Sequence, residues 1–287
     1  MRIQLWIACQ AAVAFVCLGL TTCIGASADG GDRLLRFHHE QGDVASYNFS
    51  IAGRGIRDEK PVEFSAKVKC RVEFQAESDG MQQVQARFLS GTFAATSEGQ
   101  HKSGSVTPMV TTARISPMGH IASSEVVSGE NTSVPFAEMS FSPEDVDFVL
   151  DLPAEPVSKG STWKAEQKNP EEGRLPAVMS VTYTHLGEDV VNGRPCVKIK
   201  GVSLTEFSTN DEMSGTGTVI HIQASMGNTT VFLFDYERGL VMSAESTQNL
   251  SFVITTGDPT ASQSVKKDSI VVKSRSTLTE FAPRKAG

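Results

Sequence analysis

Ser161-Thr-Trp-Lys164 has the Ser-x-x-Lys spacing of penicillin-binding enzymes, where a lysine amine assists a serine hydroxyl. That chemistry needs the two residues one turn apart on a helix. Here they open a strand just after Gly160, and residues three apart on a strand point to opposite faces. The companion Ser-Asp-Asn and Lys-Thr-Gly motifs are absent, and Ser264-Val-Lys-Lys267 repeats the spacing without them. There is no Gly-x-Ser-x-Gly elbow. The glycine-rich Ser214–Val219 lacks the lysine and the following helix that a phosphate loop requires.

His38-His39-Glu40 invites a metal reading. Adjacent strand residues face opposite ways, so neighbouring histidines chelate one ion poorly. His101, His120, His185 and His221 are isolated, and no Cys/His cluster has structural-zinc spacing. The carboxylates Glu144, Asp145, Asp147 and Glu171-Glu172 read as solvated surface. The expectation is no metal, no cofactor and no catalytic residue.

What must position any site is a set of strands. In Ala66–Phe74 the residues Ala66, Val68, Cys70, Val72 and Phe74 alternate with Lys67, Lys69, Arg71 and Glu73, which gives one dry face and one wet face. Ser78-Asp79-Gly80 turns the chain, and Val84, Ala86 and Phe88 return on one face. Val181 and Tyr183 alternate with threonines, Asn192-Gly193 is a hairpin signal, and Val197 and Ile199 return. Past Gly201 the apolar positions shift to Val202 and Leu204, which predicts a bulge there; a similar shift occurs at Phe88 and Leu89. Three glycines recur at offsets of 113 (Gly80, Gly193), 118 (Gly42, Gly160) and 120 (Gly119, Gly239), which predicts one plan used twice. Between the halves, Ser142-Pro143-Glu144 predicts a short helix over Pro143–Leu150, ended by Pro153. The runs Asn249–Thr255 and Ser269–Phe281 complete the sheet, and the tail from Ala282 is expected to fray.

The chain opens with Arg2, an apolar run from about Leu5 to Leu20 and Ala26-Ser27-Ala28, the pattern of a cleavable export leader over residues 1–28. Cys23 offers an alternative lipid anchor, although Thr22 is a poor residue before it. Cleavage leaves 287 − 28 = 259 residues, with a net charge of −7 − 1 = −8. No second stretch is apolar enough to span a bilayer as a helix. An acidic chain is not expected to bind nucleic acid or anionic lipid surfaces. The exported chain keeps Cys70 and Cys196, which form either one disulfide or two buried free thiols.

The segments Val157–Trp163, Val181–Gly201 and Phe234–Ser246, with Leu34–Ile51 at the start, resemble a group of uncharacterised exported bacterial proteins that carry a domain of unknown function. Ser161 stands where Asp is usual. The resemblance covers residues 33–282 and implies a β-rich, curved-sheet fold, similar at the fold level to lipoprotein carriers of the LolA/LolB type. It implies no known reaction.

The expected fold is all-β and mainly antiparallel: two similar curved, half-barrel-like units, residues 29–127 and 158–287, joined by a linker with a short helix at 128–157. The expected function is non-catalytic binding of a lipid, another hydrophobic or extended ligand, or an envelope protein partner. The expected location is the periplasm or the extracellular space. The candidate lining residues are Val68, Val72, Phe74, Tyr183, Phe232 and Phe234. The alternatives are a hydrolase with a site assembled from distant loops and a structural envelope component that pairs through its edge strands.

Overall fold

The computed structural model describes residues 32–57, 59–129, 133–134, 139–140, 150–168, 178–212, 219–257 and 264–284. The leader at 1–28, Cys23 and the helix expected from Pro143 lie outside them, apart from Leu150, which is non-helical. Among the described residues the fold is all-β.

The first half contributes β1 (Val44–Arg57), β2 (Lys60–Ser78), β3 (Met81–Ser97), β4 (Gln100–Ser105), β5 (Met109–Ile115) and β6 (Ile121–Ser128). Two short strands, β7 (Ser133–Val134) and β8 (Met139–Ser140), pair with each other. The second half contributes β9 (Thr162–Lys168), β10 (Val178–Val191), β11 (Arg194–Glu212), β12 (Val219–Asp235), β13 (Leu240–Gly257) and β14 (Ser264–Ala282). One 12-stranded antiparallel sheet runs β6-β5-β3-β2-β1-β14-β13-β12-β11-β10-β9, with β4 added to β3. It does not close into a barrel; β6 and β9 end the path, and β4 adds a further edge beside β3. The first meander grows outward from the middle and the second grows inward to it. They meet where β1 pairs with β14, from Val44↔Ala282 to Ile56↔Ser269. Hydrogen bonds of a single sheet therefore cross between the two expected units.

The turns follow from residue chemistry. Two-residue hairpins favour positive φ at both central positions, which suits Asn or Asp followed by Gly. Asp79-Gly80 (φ 54°, 70°) and Asn192-Gly193 (φ 50°, 76°) both take it, as does Glu98-Gly99 between β3 and β4. β2 alternates buried and exposed residues along almost its whole length, as the pattern around Val68 predicts.

One register expectation is corrected. The pairing of Gly201 with Tyr183 and Thr230 is regular, and no bulge occurs there. Val202 and Leu204 simply stay on the outward face, 41% and 67% exposed. Gly201 is there because the Tyr183 ring lies over it: an added Cβ would sit 2.9 Å from Cε1 of that ring. The counterpart at Leu89 is a real bulge, since Lys69 pairs with Ser90 and Cys70 with Phe88.

Two buried clusters hold the sheet. The larger gathers Tyr47 and Phe49 of β1, Phe64 through Phe74 of β2, Val84 and Phe88 of β3, and Leu250 and Phe252 of β13. The second gathers Tyr183, Val197, Ile199, Phe232 and Phe234, sealed by Leu35, Leu150, Leu152 and Val157.

Candidate ligand cavity

Residues 33–43 have no long periodicity, yet they form a strap across the end of the sheet. Arg33 and Val157 exchange backbone hydrogen bonds of 2.8 and 2.9 Å, and the Phe37 amide donates to the Pro117 carbonyl at 2.7 Å. The Arg36 guanidinium donates to the carbonyls of Leu35, Pro153 and Ala154 at 2.6–2.7 Å. The His38 Nε2 meets the Glu237 carbonyl at 3.0 Å. Two glycines let the strap approach this closely. A Cβ on Gly239 (φ +66°) would lie 2.7 Å from the Arg36 carbonyl oxygen, and one on Gly119 (φ +85°) would lie 2.8 Å from the Phe37 ring. These are the glycines 120 residues apart in the sequence, and each serves as the floor under the same segment.

The strap's far end is pinned by Asp43, which is buried. Its carboxylate accepts the amides of Glu40 (3.0 Å) and Arg284 (2.8 Å), and its backbone carbonyl accepts the Phe74 amide at 3.0 Å. The described start of the tail expected to fray, Ala282 to Arg284, is thus anchored at Arg284.

Between strap and sheet lies a cavity of about 430 Å³. Its floor is Tyr47, Val72, Phe74, Val84, Ile115 and Leu240; Arg36 through His39 form its roof, and Glu77, Gln82 and Ser116 stand at the rim. That volume and this mostly apolar lining with a few polar groups suit a small apolar ligand. The His39 ring stacks on Phe74 with centroids 3.6 Å apart. Burial pushes its pKa down to about 4, against the pull of the nearby Asp43 carboxylate, so the ring is neutral near pH 7. The Gly239 backbone beside the ring offsets a smaller part of that shift. Burial likewise raises the Tyr47 phenol, helped by Cys70 beside it. The floor and this part of the roof are therefore uncharged and favour an apolar occupant.

Of the expected lining residues, the structure brings Val72 and Phe74 to the cavity. Val68 is buried in the same cluster without lining it. Tyr183, Phe232 and Phe234 lie in the second cluster, where Trp163 stacks on Tyr183 (5.5 Å) and Phe37 meets Phe234 edge-on (5.3 Å). There they fill the core. The strap residues Phe37 and His39 were missed because no strand period marks them. The two glycines beneath them were the available signal.

Cys70 and Cys196 are both free and buried, so the disulfide reading is corrected. Cys70 is level with Tyr47 and Phe88, and Cys196 with Asp189; both belong to the larger buried cluster without being bonded to each other. Burial pushes Cys70 up to about 12 and Cys196 to about 11, leaving both inert as thiolates at neutral pH. The Ser161 hydroxyl accepts the Ser158 amide at 3.1 Å, and Lys164 pairs across to Thr182 on β10. Among the described residues no three His, Cys, Asp or Glu side chains gather as a metal-holding group, and no helix is long and apolar enough to cross a membrane. Asp235, fully buried, has a structural task. It accepts Arg194 Nε at 3.1 Å and caps the β12–β13 turn through the amides of Glu237 and Arg238 at 3.0 Å.

No family model matches the chain, and no curated protein matches it either. Among solved structures it is similar to a lipovitellin chain, described for its lipid–protein interactions (TM-score 0.49, 9% identity, 87% of this chain and 26% of that one). The chain thus spans about a quarter of the lipovitellin chain. It is also similar to a DUF1329 family protein from Desulfovibrio piger (TM-score 0.23, 11% identity, 86% and 87%) and to the COG4313 outer membrane channel from Pseudomonas putida (TM-score 0.28, 8% identity, 88% and 100%). A family defined by a domain of unknown function is therefore among the neighbours. At these scores none of the three bears on what this chain does.

Proposed function

We propose that this is an exported, non-catalytic β protein that holds a hydrophobic ligand between its strap and its sheet. The cavity carries this reading: about 430 Å³ with an apolar floor, roofed in part by a neutral imidazole. The leader-like residues 1–28 support export, and an acyl chain or another lipid tail is the ligand class that the lining favours. The Ser116 hydroxyl at the rim accepts the amides of Met118 (3.3 Å) and His120 (3.0 Å), which supports a turn-forming role over a nucleophilic one.

The test is binding of 1-anilinonaphthalene-8-sulfonate, together with native mass spectrometry of protein purified from its own host. We expect saturable dye binding at one site and a co-purifying lipid. Val84→Trp fills the floor and should weaken dye binding about tenfold, with circular dichroism unchanged. Gln82→Trp at the rim, a milder change, should weaken it less. Dye affinity equal in wild type and both variants would remove the cavity as the binding site.

A further inference from the structure

The outward face of the sheet distributes charge unevenly. β2 presents Lys67, Lys69 and Arg71 to solvent while Val68, Cys70 and Val72 between them are buried. Arg71 stands directly opposite Arg87 on β3. Lys67 is level with Ser50 on β1 and, one strand further, with Arg275 on β14; Lys273 follows on the same face. Strands are about 4.8 Å apart and same-face neighbours about 7 Å apart along a strand, so these six cations form a shallow grid roughly 15–20 Å across. Small polar residues fill the gaps, among them Ser46, Asn48, Ser50, Ser90 and Thr92. Carboxylates stand at its margins: Glu63, Glu73 and Glu280 near the strand ends, and Glu245, which pairs with Arg275 at 3.3 Å. Lys67, Lys69 and Arg71 make no ion pair among the described residues. Like charges directly opposite, as in Arg71 and Arg87, disfavour the pairing unless an anion lies over them.

We propose that this face docks the protein on an anionic lipid leaflet through headgroup phosphates. Cations spread over four neighbouring strands, with small polar residues between them, match a two-dimensional array of phosphates better than an extended peptide, which pairs along one strand edge; the one hollow beside them, at Gly53, Phe64 and Lys273, lies at the grid's margin. The net charge of −7 does not oppose this, because salt screens charges beyond about 8–10 Å. The acidic remainder turns the basic face toward the membrane. The expectation drawn from net charge, that anionic lipid is not a partner, is thereby replaced by one drawn from the face.

The test is co-sedimentation of the full chain with vesicles of phosphatidylcholine alone or of phosphatidylcholine and phosphatidylglycerol at about 7:3. We expect binding only to the anionic vesicles, weakened at least about tenfold between ~0.05 M and ~0.5 M salt. The triple variant Lys67→Gln, Lys69→Gln, Arg71→Gln should weaken it similarly while melting like wild type. Lys164→Gln with Lys200→Gln, in the other half of the sheet, should leave it unchanged. Equal binding to neutral vesicles, no binding to either, or an unaffected triple variant would overturn the proposal. So would capture of a polyglutamate peptide without vesicle binding, which would point to an acidic protein instead. Val84→Trp separates this surface from the cavity: vesicle binding should survive it, and loss would put the lipid contact at the cavity instead.

Discussion

His39 shows how one side chain couples stability to pH. It is stacked on Phe74, close to Asp43 and His38, and its pKa falls from 6.5 to about 4 because burial disfavours the charged ring. Above pH 6.5 folded and unfolded chains both hold it neutral, and its stabilisation is complete. Between pH 6.5 and about 4 the unfolded chain takes up a proton that the folded chain refuses, so stability is lost as the pH is lowered through this window. The total is on the order of 3 kcal/mol. His39→Phe keeps a ring on Phe74 and removes the titration. Urea unfolding across this window should lose about one proton of pH slope, with a residual slope from His120 and His185, which are shifted the same way. An unchanged slope would mean that His39 is solvated. Asp235 offers a second residue-scale prediction. Asp235→Ala strips Arg194 of a buried partner and uncaps the hairpin turn, and should cost about 2–4 kcal/mol in urea unfolding. A cost below about 1 kcal/mol would show that water replaces the carboxylate.

Among the elements, the strands and hairpins were legible and the strap was not. β2 could be read because its two faces see different solvents, which writes a period of two into Ala66–Phe74. Asp79-Gly80 and Asn192-Gly193 could be read because few residues accept positive φ. The strap crosses the sheet as an irregular segment whose hydrogen bonds go to Pro117, Pro153 and Val157, far away in sequence, so no local pattern records it. Its dependence on glycine is testable. Gly239→Ala introduces both an unfavourable φ and a clash with the Arg36 carbonyl, so the strap must shift. We expect faster proteolysis within residues 33–43 and weaker dye binding, with the sheet's circular dichroism retained. Gly99→Ala is the control, since its added Cβ meets nothing within 4 Å and only the φ strain remains. Equal proteolysis of the two variants would refute the role assigned to Gly239.

For the molecule as a whole, the pairing of β1 with β14 makes the two meanders one sheet. Phe49 sits on this seam, buried and level with Ser276 and Val68. Phe49→Ala should cost about 3–5 kcal/mol and lower the stability of both halves together. Trp163 emission, which reports the second half, should therefore melt in step with far-ultraviolet circular dichroism. Two separated transitions would show that the halves fold independently. The sequence by itself determined the fold class, the alternating faces of β2 and the hairpin turns at Asp79-Gly80 and Asn192-Gly193, because period and positive φ are local properties that individual residues enforce. It also carried the raw material of a ligand site in Val72 and Phe74. Only the tertiary structure decided that these two line a cavity while Tyr183, Phe232 and Phe234 are core, and that six cations share one face of an acidic chain. Those outcomes depend on which strands lie side by side and on what crosses over them, and pairings between residues more than 200 positions apart leave no mark in any short window of sequence.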